Sequence, residues 1–190
     1  MEPNLERPSV TFTTHGPFED SIGFGFDAMT NDYKVVRLVT LEEDAANPIV
    51  AEVYSLATGS WNSLGSVAPP CRVHGVRRQC FFNGAIHWAV EPGGTAGAYF
   101  YFIFDLGSEL FREIMILWGT EMHLESRVSV SGDEKSLALF TRYRDKNGVC
   151  SLDIWVMKEY CRQDSWTKLI TLGPNLTVCS VDAIDKPLPK

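Results

Sequence analysis

The chain is short of several things, and each shortage removes a class of function. It has no apolar run approaching the ~18–20 residues that a membrane-spanning helix needs. Basic residues are outnumbered, 17 Lys and Arg against 24 Asp and Glu, for a net charge of -7. A nucleic-acid backbone is therefore a poor partner, since phosphate binding draws on clustered cations. Five cysteines stand at 71, 80, 150, 161 and 179 without a Cys-x-x-Cys pair, and the N-terminus Met1-Glu2-Pro3-Asn4 offers neither a basic flank nor an apolar stretch. The expectation is a non-secreted protein of the cytosol or nucleus, with reduced thiols and no structural zinc. Catalytic signatures are missing too: no Gly-x-Ser-x-Gly elbow, no His-Glu-x-x-His, and no phosphate-binding lysine after Pro92-Gly93-Gly94-Thr95-Ala96-Gly97. Helical periodicity is poor throughout.

What the chain does have is a unit stated three times: an apolar strand, a polar turn, an aromatic, and an aliphatic three residues later. The copies are Val53-Tyr54-Ser55-Leu56 with Trp61 and Leu64, Ile103-Phe104-Asp105-Leu106 with Phe111 and Ile114, and Ile154-Trp155-Val156-Met157 with Trp166 and Leu169. The aromatics are seven residues apart in the first two copies and eleven in the third. A turn that lengthens while its flanks persist is the behaviour of an all-β repeat, because insertions collect in loops.

Four strands are predicted in each of three sets. They are Ile22–Asp27, Tyr33–Thr40, Ile49–Leu56 and Trp61–Leu64; Gln79–Phe82, Ala85–Val90, Tyr99–Leu106 and Phe111–Ile116; and Arg127–Val130, Ser136–Arg142, Cys150–Met157 and Trp166–Leu172. Asn83-Gly84 supplies a tight type I′ hairpin. Phe26, Phe82 and Val130 as equivalent positions give periods of 56 and 48 residues, near the ~50 of kelch-like propeller blades. The segment Ala98-Tyr99-Phe100-Tyr101-Phe102-Ile103-Phe104 is apolar on both faces, so it must be covered on both, as the middle of a stack of blades is. The fold class expected is all-β, a kelch-like β-propeller fragment of about three four-stranded blades, with a β-sandwich or other antiparallel β domain second. Residues 1–20 read as irregular, 21–185 as the β domain and 186–190 as a tail. A further strand opening at Thr177–Ile184 does not complete a ring, and the C-terminus reads as a truncation.

The candidate chemistry is thin. Gly23-Phe24-Gly25-Phe26 reads as a strand in close contact with a neighbour, and His87 as a hydrogen-bonded strand histidine. Asp27, Asp32, Asp105, Asp133 and Asp164 read as turn residues. Lys158–Asp164 reads as an extended turn carrying charge. Recurrence at matched positions assigns Trp61, Phe111 and Trp166 to the core, with truncation of Trp166 to alanine expected to cost about 3–5 kcal/mol. The densest charged patch, Arg72, His74, Arg77 and Arg78, is the candidate partner-binding loop. No catalytic, cofactor or metal residue is assigned.

Taken in order, Ile22-Gly23-Phe24-Gly25-Phe26-Asp27, Asp32-Tyr33-Lys34-Val35-Val36-Arg37, Glu52-Val53-Tyr54-Ser55-Leu56 with Ser60-Trp61, Asn83-Gly84-Ala85-Ile86-His87-Trp88 and Ile154-Trp155-Val156-Met157-Lys158-Glu159-Tyr160 with Ser165-Trp166 resemble the F-box-associated domain of plant F-box proteins. The resemblance runs from about Gly16 to Gly173 and extends to the kelch-type and S-locus members. It implies the substrate-recognition part of an SCF, or cullin-RING, ubiquitin ligase receptor: a protein-binding domain, not an enzyme, with no cofactor. The ligase adaptor is contacted by an F-box, which residues 1–20 cannot hold. An acidic surface suits a basic protein target. The reading set against it is a glycan-binding, lectin-like β domain.

Overall fold

The computed structural model describes residues 18–41, 49–67, 71–72, 79–92, 98–117 and 122–173. Thirteen strands run through them: β1 (Phe18–Asp27), β2 (Asp32–Leu41), β3 (Ile49–Ser55), β4 (Ser60–Val67), β5 (Cys71–Arg72), β6 (Cys80–Phe82), β7 (Ala85–Pro92), β8 (Ala98–Asp105), β9 (Leu110–Leu117), β10 (Met122–Val130), β11 (Leu137–Arg144), β12 (Cys150–Met157) and β13 (Trp166–Leu172). The last three positions of the stretch read as irregular are already strand. Each of the twelve strands expected in the three sets is present and the two-residue β5 is additional, while the further strand expected at Thr177–Ile184 lies outside the described residues.

The strands form three antiparallel sheets in chain order: β1-β2-β3-β4, then β5-β7-β8-β9 with β6 also on β7, then β10-β11-β12-β13. These are three blades of a propeller-like stack. Asn83 and Gly84 adopt φ of 50 and 73, the left-handed pair that a type I′ hairpin requires. The hairpins that open the blades close at Asp27↔Asp32, Phe82↔Ala85 and Val130↔Leu137. Phe26 therefore stands one pair inside its hairpin, and the first period is one residue shorter than the sequence comparison made it.

The strands of each blade alternate between a back face, toward the preceding blade, and a front face, toward the next. Blade 2 shows both. Its back face carries Ile86, Trp88, Val90, Phe102, Phe104 and Leu106, which pack on Val36, Leu38, Ala51 and Val53 of blade 1. Its front face carries Ala85, Ile103 and Ile114, with Phe82 at the margin, against Val128, Leu137, Leu139 and Met157 of blade 3. Phe102, Ile103 and Phe104 are all buried, which accounts for a strand apolar at successive positions.

Glycine sets the spacing of the first two blades. A Cβ on Gly23 would come within 2.6 Å of Ile86 and 2.7 Å of Trp88, and one on Gly25 would strike the Phe81 ring and lie 2.7 Å from Leu106. Across this junction the Trp88 indole N–H donates to Ser21 Oγ at 3.2 Å. The expected helix-free connection Lys158–Asp164 is a turn ending in a short 3-10 segment, Gln163–Ser165. Arg162 pins it by pairing with Glu159 and Asp164, both at 2.7 Å.

Candidate interaction surfaces

Up-and-down strands send alternate connections to opposite ends of each blade. The tight turns 28–31, 56–59, 83–84, 106–109, 131–136 and 158–165 share one end. The connections β2–β3, β4–β6, β7–β8, β9–β10 and β11–β12 share the other.

Carboxylates organise the tight-turn end. Asp27 accepts from Met29 N–H and the Thr30 hydroxyl, Asp32 from the Ser55 hydroxyl and Ala57 N–H, and Asp105 from Ser108 twice. Asp133 accepts from Lys135 N–H and the Ser131 hydroxyl. These aspartates are turn residues, as their positions in the sequence suggested.

One of them also locks two blades together. The buried Lys34 ammonium reaches Asp27 at 2.9 Å on its own blade, and Glu109 and the Leu106 carbonyl, each at 2.8 Å, on the next. Burial opposes charge on Asp27, yet hydrogen bonds from Thr30, Lys34 and Met29 prevail and hold its pKa down at about 2. Burial likewise works to lower the Lys34 pKa, but Glu109 and Asp27 outweigh it and the net direction is up. Asp27 and Lys34 stay ionised at neutral pH. A triad so fully engaged is structural rather than catalytic.

The junction of blades 2 and 3 holds a different polar cluster. His87 is fully buried, with Nδ1 3.4 Å from the Cys80 carbonyl and Nε2 3.1 Å from the Tyr160 hydroxyl. A carbonyl only accepts, so Nδ1 carries the proton and Tyr160 donates to Nε2. Burial pushes the His87 pKa down to about 4 and the Cys80 thiol up to about 12. Burial, followed by the neighbouring Cys161, also raises Tyr160. A neutral histidine sealed between two sheets positions blades; it does not meet a substrate.

Of the candidate partner-binding loop, Arg72 lies on β5, whose backbone pairs Arg72↔Glu91 with β7, while His74, Arg77 and Arg78 lie outside the described residues. β5 and β6 both pair with β7, so the backbone of Arg72 lies on the edge of blade 2, beside the end of β7 away from its opening hairpin. Sequence reasoning passed over a second surface: Met29, Leu56 and Leu110 are exposed apolar side chains at the tight-turn end of blades 1 and 2. Its signal was an apolar residue inside or beside a polar turn segment. A third feature is a cavity of about 270 Å³ on the front face of blade 3, lined by Glu125, Arg127, Ser129, Phe140, Arg142 and Leu152.

The core assignments divide. Phe111 packs against the first core cluster and Trp166 against the second. Trp61 is half-buried and pairs instead with Tyr54, ring centroids 5.3 Å apart, on the back face of blade 1. The matched position is the same; what differs is that no described blade precedes blade 1. Trp155 and Trp166 are not opposite one another either, since the longer connection pairs Trp166 with Met157 and Trp155 with Lys168. Cys80 and Cys161 are free, whereas Cys150 is disulfide-bonded, which departs from the expectation of reduced thiols. Among the described residues no three His, Cys, Asp or Glu side chains converge as metal ligands, and no helix is long and apolar enough to cross a membrane.

Three stacked antiparallel blades with a repeating aromatic and turn pattern define a β-propeller repeat protein. More specifically, the chain belongs to the F-box associated beta propeller domain family, which it matches over residues 8–186. It is similar to F-box protein CPR1 of Arabidopsis thaliana, 31% identical over 173 residues covering 79% of this chain and 40% of that protein. F-box protein At3g07870 of the same plant is 26% identical over 207 residues, covering 97% and 47%. F-box/kelch-repeat protein At3g23880, also from Arabidopsis thaliana, is 27% identical over 158 residues, covering 82% and 40%. The chain thus spans less than half the length of these curated relatives. No solved structure matches it significantly.

Proposed function

We propose that the chain is a substrate-recognition domain of the SCF, or cullin-RING, ubiquitin ligase type, which captures a protein so that a ligase can modify it. The reading rests on its membership of the F-box associated family together with relatives that are F-box proteins. The architecture suits it: a rigid stack of blades whose charged turn residues are spent on holding the blades, leaving the loop ends to vary. The domain of capture is residues 21–185, working in the cytoplasm or nucleus. The loop containing Arg72, His74, Arg77 and Arg78 and the apolar trio Met29, Leu56 and Leu110 are its contact surfaces. With a net charge of -7, a basic target is favoured over an acidic one. The chain itself performs no chemistry.

The test is reconstitution. A protein captured by the purified chain is offered to a cullin-RING ligase, with an adaptor-binding F-box fused ahead of residue 1. Ubiquitination of that protein by the fusion, and not by the unfused chain, is the expected result. Capture without ubiquitination by the fusion, or selective binding on a glycan array, would overturn the reading, the latter in favour of a lectin-like domain.

A further inference from the structure

An edge strand offers a row of unpaired amides and carbonyls, and proteins blunt such edges with bulges, lysine or proline. The inner strands β1, β6 and β10 lie against the neighbouring blades, so the strands that end the sheets on the outer side are β4, β9 and β13. Two of these are interrupted at the closing aliphatic of the repeat. In β4, Ala51 pairs with Gly65 and Glu52 with Ser63, which leaves Leu64 as an extra residue beside a glycine at φ 72. In β13, Ile154 pairs with Ile170 and Trp155 with Lys168, which leaves Leu169 extra. Each bulge bends its strand and breaks the regular row. β9 has no such break. Its residues pair without a shift from Asp105↔Leu110 to Ala98↔Leu117, and it contains neither lysine nor proline. Among the described residues no strand pairs with its outer edge.

The sequence of β9, Leu-Phe-Arg-Glu-Ile-Met-Ile-Leu, is apolar apart from Arg112 and Glu113, which stand side by side and are both exposed. The pairings Ile103↔Arg112 and Phe102↔Glu113 put them on opposite faces, Arg112 on the front and Glu113 on the back. Asp105 is within electrostatic reach of Arg112, yet neither Arg112 nor Glu113 makes a hydrogen bond or ion pair among the described residues. Leu110, 60% exposed, opens the strand at the tight-turn end. A straight apolar edge is a liability when bare and a site when it has a specific occupant. An occupant in register must answer a cation on one face and an anion on the other at successive positions. That selects a basic residue next to an acidic one within an extended run.

We infer that β9 is a strand-addition site, at which the captured protein lays an extended segment with adjacent basic and acidic residues along the Leu110–Leu117 edge. The inference rests on the protein-capture reading and names its mode: main-chain hydrogen bonds supply affinity, while Arg112 and Glu113 select register and partner. An antiparallel segment reads Lys-Glu in its own chain direction, with Lys opposite Glu113 and Glu opposite Arg112.

The probe is the synthetic peptide Thr-Val-Thr-Lys-Glu-Thr-Val-Thr, added to the purified full chain, with fluorescence anisotropy reading affinity and amide hydrogen exchange reading location. Binding is expected, with slower exchange in β9 and unchanged exchange in β4 and β13. Glu113→Lys, an exposed substitution checked by circular dichroism, is expected to weaken this peptide about fivefold and to prefer a Glu-Glu version of it. Arg112→Glu, with a preference for a Lys-Lys version, is the second variant should the first fail to fold. N-methylation of alternate peptide amides should abolish binding in one phase and spare it in the other, since only one edge of the added strand faces β9. Absence of binding, protection centred on another edge, indifference to Glu113→Lys, or equal effects of the two N-methylation phases would each overturn the proposal. Ubiquitination of a captured protein despite such a result leaves the capture reading standing and moves the contact to another surface.

Discussion

At the scale of single residues, His87 is a group whose ionisation is tied to folding within the acid range. Its folded pKa of about 4 lies below the ordinary 6.5, so the neutral form belongs to the fold. Its contribution is complete above pH 6.5 and is lost as pH falls through 4, reaching about 3 kcal/mol. Urea midpoints measured between pH 7 and pH 4 are expected to drop, and His87→Gln should flatten that decline while lowering stability at pH 7. The histidine was legible in the sequence as a strand residue; its partner Tyr160 was not, because they are 73 residues apart and meet only when blade 3 docks. The aromatics make the same point. Trp88→Ala removes a fully buried indole and is expected to cost about 3–5 kcal/mol, whereas Trp61→Ala, on the open back face, should cost about 1 kcal/mol in a urea titration.

At the scale of elements, strands were readable because alternation, turn residues and aromatic spacing are local properties of the chain. Their registers were less so. The eleven-residue interval in the third copy conceals a register shift between Ile154 and Trp155, which places Trp166 opposite Met157. Alternating glycines in β1 could be recognised as close contacts, but their contact partners, Ile86, Trp88, Phe81 and Leu106, all lie on blade 2. Gly25→Ala is expected to destabilise by about 1–3 kcal/mol through overpacking, with Gly25→Val worse, as read from thermal and chemical unfolding.

At the scale of the whole molecule, each described blade meets only its neighbours, so a junction can be loosened without dissolving the stack. Lys34→Ala leaves Asp27 and Glu109 facing each other without their cation and is expected to cost about 3 kcal/mol. Native-state hydrogen exchange should show faster exchange in β1–β4 and little change in β10–β13; uniform acceleration would mean that the three blades unfold as one. The acid limb of stability tests the same lock, since Asp27 contributes above about pH 3.8 and loses that contribution as pH falls through about 2. The sequence by itself determined the strands, their grouping into three repeats, the turn chemistry and the family, because each is written in short-range spacing. Only the tertiary structure decided which face of each blade is covered, which charges are spent on locking blades, and that Leu56 and Leu169 are left open. Burial depends on what lies on the other side of a sheet, and no local pattern carries that information.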